Sequence, residues 1–221
     1  MNEVGLPPRI SSRRKKCTEN ESDYQLHWFG AFITVSAMTE QGCRRHPKGE
    51  PMSIAQRIHG LLEQDPSAHP STIAAELAVS EWEVVRHLPA ELVTLVPAEQ
   101  AEALLADLAD WGQVTTIVES DGSIFEVKAP FPRGKSARGY YNLMGRDGEM
   151  HGHLKLDNVV GIALVSKLFM GKEGHSFQFF GHSGRCIFKV YLGRDEQRQL
   201  LPAQVERFMA LRHQYQEEVK A

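Results

Sequence analysis

The chain has 221 residues, with 25 Lys and Arg against 28 Asp and Glu, 42% hydrophobic residues, 18 Gly and 11 Pro, a globular composition that excludes collagen, long disordered tracts and coiled coils. A net charge of −3 supplies no global positive field for a polyphosphate backbone, so nucleic-acid binding would need a local basic patch. The three scattered cysteines, Cys17, Cys43 and Cys186, form no C-x-x-C pair and suggest neither a disulfide framework nor a zinc knuckle, which fits a reducing compartment.

No uninterrupted apolar run reaches the roughly 18 residues of a transmembrane helix, so a soluble chain is expected. Residues 1–51 differ from the rest: they carry Pro7-Pro8, the basic cluster Arg13-Arg14-Lys15-Lys16 and an apolar run over 28–38. A secretory signal has a similar outline, but Glu19, Glu21 and Asp23 interrupt its positive region. Residues 1–51 are therefore read as a poorly ordered extension, with a cleaved signal as the rival. The working domain is expected to start at Met52, because Ser53 and Gln56 form a capping box ahead of the helical pattern Ile54, Ile58, Leu61, Leu62.

Residues 53–88 read as three short helices, the second from Ser71 and the third from Ser80, where Ser80 and Glu83 make another capping box. The turn Ala78-Val79 and the inward set Ile73, Ala74, Leu77, Val79, Val84 and Val85 follow the helix-turn-helix pattern. A recognition helix should be basic. This one, EWEVVRHL, sets Glu81 and Glu83 against Arg86 and His87, so a packing or dimerising lobe is expected and nucleic acid is not. Pro89 ends the third helix, and another follows over about 98–109, stopping at Trp111-Gly112. Residues 52–112 are thus a helical lobe and 113–221 a sheet domain.

From Gln113 the pattern changes to β-branched and aromatic runs at 114–118, 123–129, 139–144, 150–156, 159–170, 175–180 and 185–192, separated by Asp121-Gly122, Asp147-Gly148 and Ser183-Gly184. Seven consecutive strands imply an antiparallel meander. A helix after Pro202 offers Val205, Phe208, Met209 and Leu211 to it. The fold class is α+β: a large antiparallel sheet, an N-terminal helical lobe and a C-terminal helix packed on the sheet.

A two-residue loop at Asp147-Gly148 sets Met144 opposite His151, Asn142 opposite His153 and Tyr140 opposite Lys155. One face then carries Tyr140, Asn142, Met144, His151, His153 and Lys155. The other carries Tyr141, Leu143, Gly152, Leu154 and Leu156, and is apolar enough to pack. The polar face is either solvated or a site. Its Tyr, Met and His side chains are donors for iron or copper within cross-strand reach. Arg133, Lys135 and Arg138 lead into the hairpin and Lys155 leaves it, so together they are suited to carboxylates at the rim of a flat, mainly apolar ligand. A solvated basic loop is the plainer alternative. No Asp or Glu on that face completes a set for a bare divalent metal. There is also no G-x-S-x-G, H-E-x-x-H, P-loop or G-x-G-x-x-G in its required context. Cys186, inside RCIFKVYL, reads as a small buried hydrophobe.

The string WGQVTTIV, followed by GSIFEVKAPFPRGKSARGYYNLMGRDGEMHGHLKLDN, then K-x-F-M-G at 167–171 and YLGRD at 191–195, resembles the cytoplasmic heme-utilization carrier family of the HutX/ChuX type from about Met52 to about His213. The resemblance implies a homodimer that carries heme, as ferric protoporphyrin IX, in the cytoplasm to a heme-degrading partner, with no membrane or nucleic acid involved. It places the family's tyrosine on Tyr140 and its histidine on His153. Another histidine implicated in some relatives falls on Glu119. Tyr140 is accordingly expected as the main ligand and His153 as an alternative ligand or hydrogen-bond partner, with His151, Arg138 and Lys155 in contact with the heme. A heme-degrading enzyme using the same face is the alternative.

Overall fold

The computed structural model describes residues 52–146, 148–169 and 171–220. The extension 1–51, with Cys17 and Cys43, and Asp147 of the expected hairpin turn lie outside the described residues.

Helix α1, Ile54–Gln64, begins on the expected capping box: Gln56 N donates to Ser53 Oγ at 3.2 Å and Ser53 N donates to Gln56 Oε1 at 2.8 Å. Helix α2, Pro70–Leu77, starts one residue before Ser71, because Pro70 is suited to the first turn and the His69 side chain accepts from Ser71 N. Its end at Ala78 is left-handed, with φ 55°. Helix α3, Glu81–Val85, is capped by Ser80 Oγ, which accepts from Glu83 N at 3.1 Å. The returning half of that box is replaced by pairing of the Glu83 carboxylate with Arg86 and His87. Helix α4, Ala101–Leu108, follows a single 3-10 turn, and helix α5, Pro202–Lys220, closes the described chain. No helix among the described residues is long and apolar enough to cross a membrane.

The strands are β1 (Val93–Val96), β2 (Gln113–Ser120), β3 (Ser123–Pro130), β4 (Gly134–Ala137), β5 (Tyr140–Leu143), β6 (Gly152–Leu154), β7 (Val159–Phe169), β8 (Lys172–Gly181) and β9 (Cys186–Leu192). They form an antiparallel six-stranded sheet in the order β1-β7-β8-β9-β2-β3 and a separate three-stranded sheet, β4-β5-β6. The single meander expected from the sequence is therefore two sheets, with β2 pairing to β9 rather than leading through β5 and β6.

Alternation along β7 and β8 separates two apolar clusters. Ile162, Leu164, Phe177 and Phe179 join α4, α5 and the apolar face of the small sheet through Leu105, Phe208, Tyr141 and Leu143. Ala163, Val165 and Phe180 meet the helical lobe through Ile58, Ile73, Val84 and Val85. The large sheet is thus covered on both faces around β7 and β8, which explains why eight of the ten residues of β8 are buried. Trp82 of α3 lies against Gly161, where an added Cβ would fall 2.3 Å from the ring, and 5.0 Å from the Phe180 ring centroid. Beside it, Lys189 Nζ donates to Glu81 Oε1 at 2.8 Å, with both side chains nearly enclosed.

Because Gly161 sits under an indole with no room for a methyl group, Gly161→Ala is expected to lower stability by about 1–3 kcal/mol. A urea titration should show a lower midpoint at an unchanged slope. An unchanged midpoint would mean that the lobe yields without cost.

Candidate functional site

The three-stranded sheet presents its polar residues in rows. Lys135, Asn142 and His153 are consecutive cross-strand partners, and Ala137 pairs with Tyr140. The opposite face carries Ser136, Tyr141 and Leu154 in one row and Gly134, Leu143 and Gly152 in the next. Tyr141 and Leu143 are buried and Leu154 packs against the same core. The Tyr141 ring covers Gly134, where a Cβ would come within 2.1 Å of it.

The register expected from the sequence is therefore present, but the ladder is shorter. It ends at Leu143 and Gly152, leaving residues 144–151 as the reversal, in which Glu149 N donates to Arg146 O at 2.9 Å and Arg146 N to Glu149 Oε2 at 2.8 Å. Met144 and His151 lie in that loop and are exposed, and no ladder pair joins them.

Asn142 organises the face. Its Nδ2 lies 3.1 Å from Lys135 O, 3.1 Å from Ala137 O and 3.0 Å from Tyr140 O and shares its two protons among them, an arrangement that only the amide nitrogen can satisfy. The amide oxygen must then face His153 Nδ1, 2.7 Å away. Oδ1 cannot donate, so Nδ1 carries the proton and, in the neutral ring, Nε2 keeps a free lone pair. A ring so held is prepared as a metal ligand.

Tyr140 stands next to it, 44% exposed, its ring 6.1 Å from the His153 ring at an interplanar angle of 69°. Lys155 Nζ donates to Gly139 O at 3.0 Å, pairs with Asp157 Oδ2 at 3.2 Å and lies 5.2 Å from the Tyr140 ring centroid. That leaves the ammonium one further proton to donate.

The remaining basic residues divide. Arg138, φ 56°, and Gly139, φ 76°, are the two turn residues between β4 and β5, a hairpin that the sequence reading took as an irregular loop. Arg138 is exposed at that tip. Arg133 pairs with Asp110 after α4 and is committed there. Lys135, grouped in the sequence with that loop, instead shares the row of Asn142 and His153. The role of Asn142 was missed as well; its signal is an asparagine on the middle strand directly opposite a histidine.

Beside β6, which among the described residues pairs on one side only, lies a cleft of about 490 Å³. Its walls include Leu156, Ile187 and Phe188, and its rim includes His153, Lys155 and His182. A volume of this size and an apolar wall with few polar groups suit a small-molecule ligand.

A second polar cluster imitates a hydrolase. Ser166 Oγ lies 2.8 Å from His175 Nδ1, and His175 Nε2 lies 3.1 Å from Glu173 Oε1. However, Arg212 Nη1 donates to Ser166 Oγ at 2.8 Å and Arg212 Nε to Thr94 Oγ1 at 3.0 Å, while His175 is buried and burial holds its imidazole below the usual range. A hydroxyl already accepting from a guanidinium is a poor nucleophile, so this network serves to fasten α5 to β1 and β7. Cys186 is equally inert: burial pushes its thiol up to about 12.

The Asn142 network makes a prediction that needs no ligand. Ring ¹⁵N shifts of His153 should show the proton on Nδ1 in the native chain and a mixture of tautomers in Asn142→Ala. Identical shifts in the two would remove Asn142 as the orienting group.

The model of the family described as "Haem utilisation ChuX/HutX" matches residues 94–211. The chain is 55% identical over 165 residues to the intracellular heme transport protein HutX of Vibrio cholerae, covering 75% of this chain and 86% of that one. It is 35% identical to the solved structure of the heme binding protein ChuX, with a TM-score of 0.66, covering 72% of this chain and 99% of that one. The heme degrading enzyme ChuS of Escherichia coli O157:H7, at 19% identity and a TM-score of 0.57 over 70% of this chain and 44% of its own, shares the fold alone. The match over more than half of the chain, together with the HutX identity, shows that the chain belongs to the haem utilisation ChuX/HutX family.

Proposed function

We propose that this chain is a cytoplasmic heme carrier, which takes up ferric heme on the polar face of the small sheet and delivers it to a heme-degrading partner. The observation that carries the reading is the side-by-side placement of Tyr140 and His153, with the His153 Nε2 lone pair left free, next to an apolar cleft. A porphyrin brings four iron ligands of its own and needs only one or two from the protein. Tyr140 supplies the main one: a phenolate is a hard anionic donor that favours ferric over ferrous iron. His153, on the same face, serves as the alternative ligand or as a hydrogen-bond partner of that oxygen.

The same chemistry favours carriage over breakdown. Oxygen activation needs ferrous iron, which a phenolate opposes. Cargo that must be handed on also needs an approachable ligand, and Tyr140 is 44% exposed. We further infer a homodimer. Among the described residues strand β3 pairs only with β2 and leaves Ile124 and Phe125 63% and 60% exposed, an apolar edge of the kind that a second copy covers.

Tyr140→Phe is expected to lose the phenolate-to-iron absorption band and about 100-fold in ferric heme affinity, with a smaller loss for His153→Ala. Unchanged spectra and affinity in both variants would overturn the assignment.

The heme complex of the native chain, given a reductant and oxygen, should keep its Soret band apart from slow coupled oxidation. Formation of an open-chain tetrapyrrole at a rate insensitive to catalase would establish the enzyme instead.

A further inference from the structure

The cleft beside β6 holds an imidazole that the small sheet does not account for. His182 and Ser183 are the central residues of the reversal between β8 and β9, closed by Gly184 N donating to Gly181 O at 2.8 Å and Gly181 N donating to Arg185 O at 3.0 Å. The reversal is clamped from behind. Trp82 N, in the first turn of α3, donates to Gly184 O at 2.9 Å, and a Cβ on Gly184, φ 71°, would fall 2.4 Å from Ser80. Ser183 Oγ is occupied in accepting from Arg185 N at 3.3 Å. His182 is exposed on this fixed support and lines the cleft, and its ring has no hydrogen-bond partner among the described residues.

Lys155 lines the same cleft, and its ammonium keeps one proton beyond its bonds to Gly139 O and Asp157. β6 ends the small sheet among the described residues, and His153, next to Tyr140, also lines the cleft, so a flat ligand centred on that pair would extend over the edge of β6 toward it. The ligand's apolar rim then meets Leu156, Ile187 and Phe188, while its charged groups reach the polar rim.

We propose that His182 and Lys155, both at the rim of the cleft, together hold a propionate carboxylate of the heme. The inference rests on the heme-carrier reading and adds a contact to the ligand's periphery rather than to its iron. Both groups donate hydrogen bonds, and a carboxylate accepts them more strongly than a neutral group does.

The test is titration of the full native chain and of His182→Ala with ferric heme and with ferric heme dimethyl ester, which keeps the ring and the iron but carries no carboxylate. His182→Ala should weaken heme about tenfold. Its affinity for the ester should match that of the native chain, and the ferric absorption bands should not move. His182→Gln, which retains an N–H donor, should recover part of the loss. Equal weakening of both compounds, or no weakening of heme, would overturn the proposal. A shift of the ligand-field bands would overturn it too, by making His182 an iron ligand. Failure of the native chain to bind either compound would remove the carrier reading itself.

Discussion

The carboxamide of Asn142 is the constraint on which the rest of the site depends. One nitrogen shares its two protons among three carbonyl groups around the β4–β5 turn, and the opposed oxygen accepts a hydrogen bond from His153 Nδ1. Each such bond contributes on the order of 1 kcal/mol to stability. Their joint effect on geometry matters more: the turn, the middle strand and the imidazole are fixed by a single planar group whose two ends cannot be exchanged. A histidine on an exposed strand would otherwise sample both tautomers and several rotamers. Here its Nε2 lone pair is offered in one direction before any ligand arrives, and the cost of ordering it is met during folding.

Burial of the opposite face makes that constraint effective. Tyr141 and Leu143 are held in the core that also contains Phe131, Phe179 and Phe188. Slippage of β5 by one residue would send Tyr141 to solvent and Tyr140 inward, so the hydrophobic core fixes which tyrosine is exposed. Gly134 completes the lock, because the Tyr141 ring occupies the space of its missing side chain. The reversal over 144–151 is not needed for the placement of Tyr140 and His153, which follows from the ladder and from packing beneath it.

How much of this could be read from the chain follows from the range of each interaction. The register of Asn142 opposite His153 was legible because an Asp-Gly signal and the alternation of Tyr141, Leu143, Leu154 and Leu156 agree on parity, and parity survives a longer loop. The capping box at Ser53 and Gln56 was legible for the same local reason. The division into two sheets was not, since the pairing of Val114 with Leu192 is set by closure of a core across distant segments. Strand β1, four residues inside a span read as helical, and strand β4, with the sequence GKSA, have too little pattern of their own to be seen. In the candidate site, Tyr140, His153 and Lys155 were expected on one face, and the structure brings them next to one another. His151, grouped with them by hairpin register, lies in the loop beyond the ladder, and Arg138, grouped with them from the segment leading into the hairpin, lies at the β4–β5 turn.

The helical lobe shows how far a local pattern can mislead when the surface that matters is supplied by the sheet. Its three helices and the left-handed Ala78 turn have the outline of a nucleic-acid reader, and charge alone argued against that role. The structure gives a stronger reason. Glu81, at the start of the would-be recognition helix, is bound to Lys189 of β9, and Trp82 beside it is laid over Gly161 of β7. The face that would have to enter a groove is already spent on the sheet. What α3 does from that position is fasten the β8–β9 reversal through the Trp82 N to Gly184 O bond and the close approach of Ser80. A lobe that reads as separate in sequence thereby becomes the rigid backing for one wall of the cleft, and its packing helps to define the mouth of the site on the other side of the molecule's main sheet.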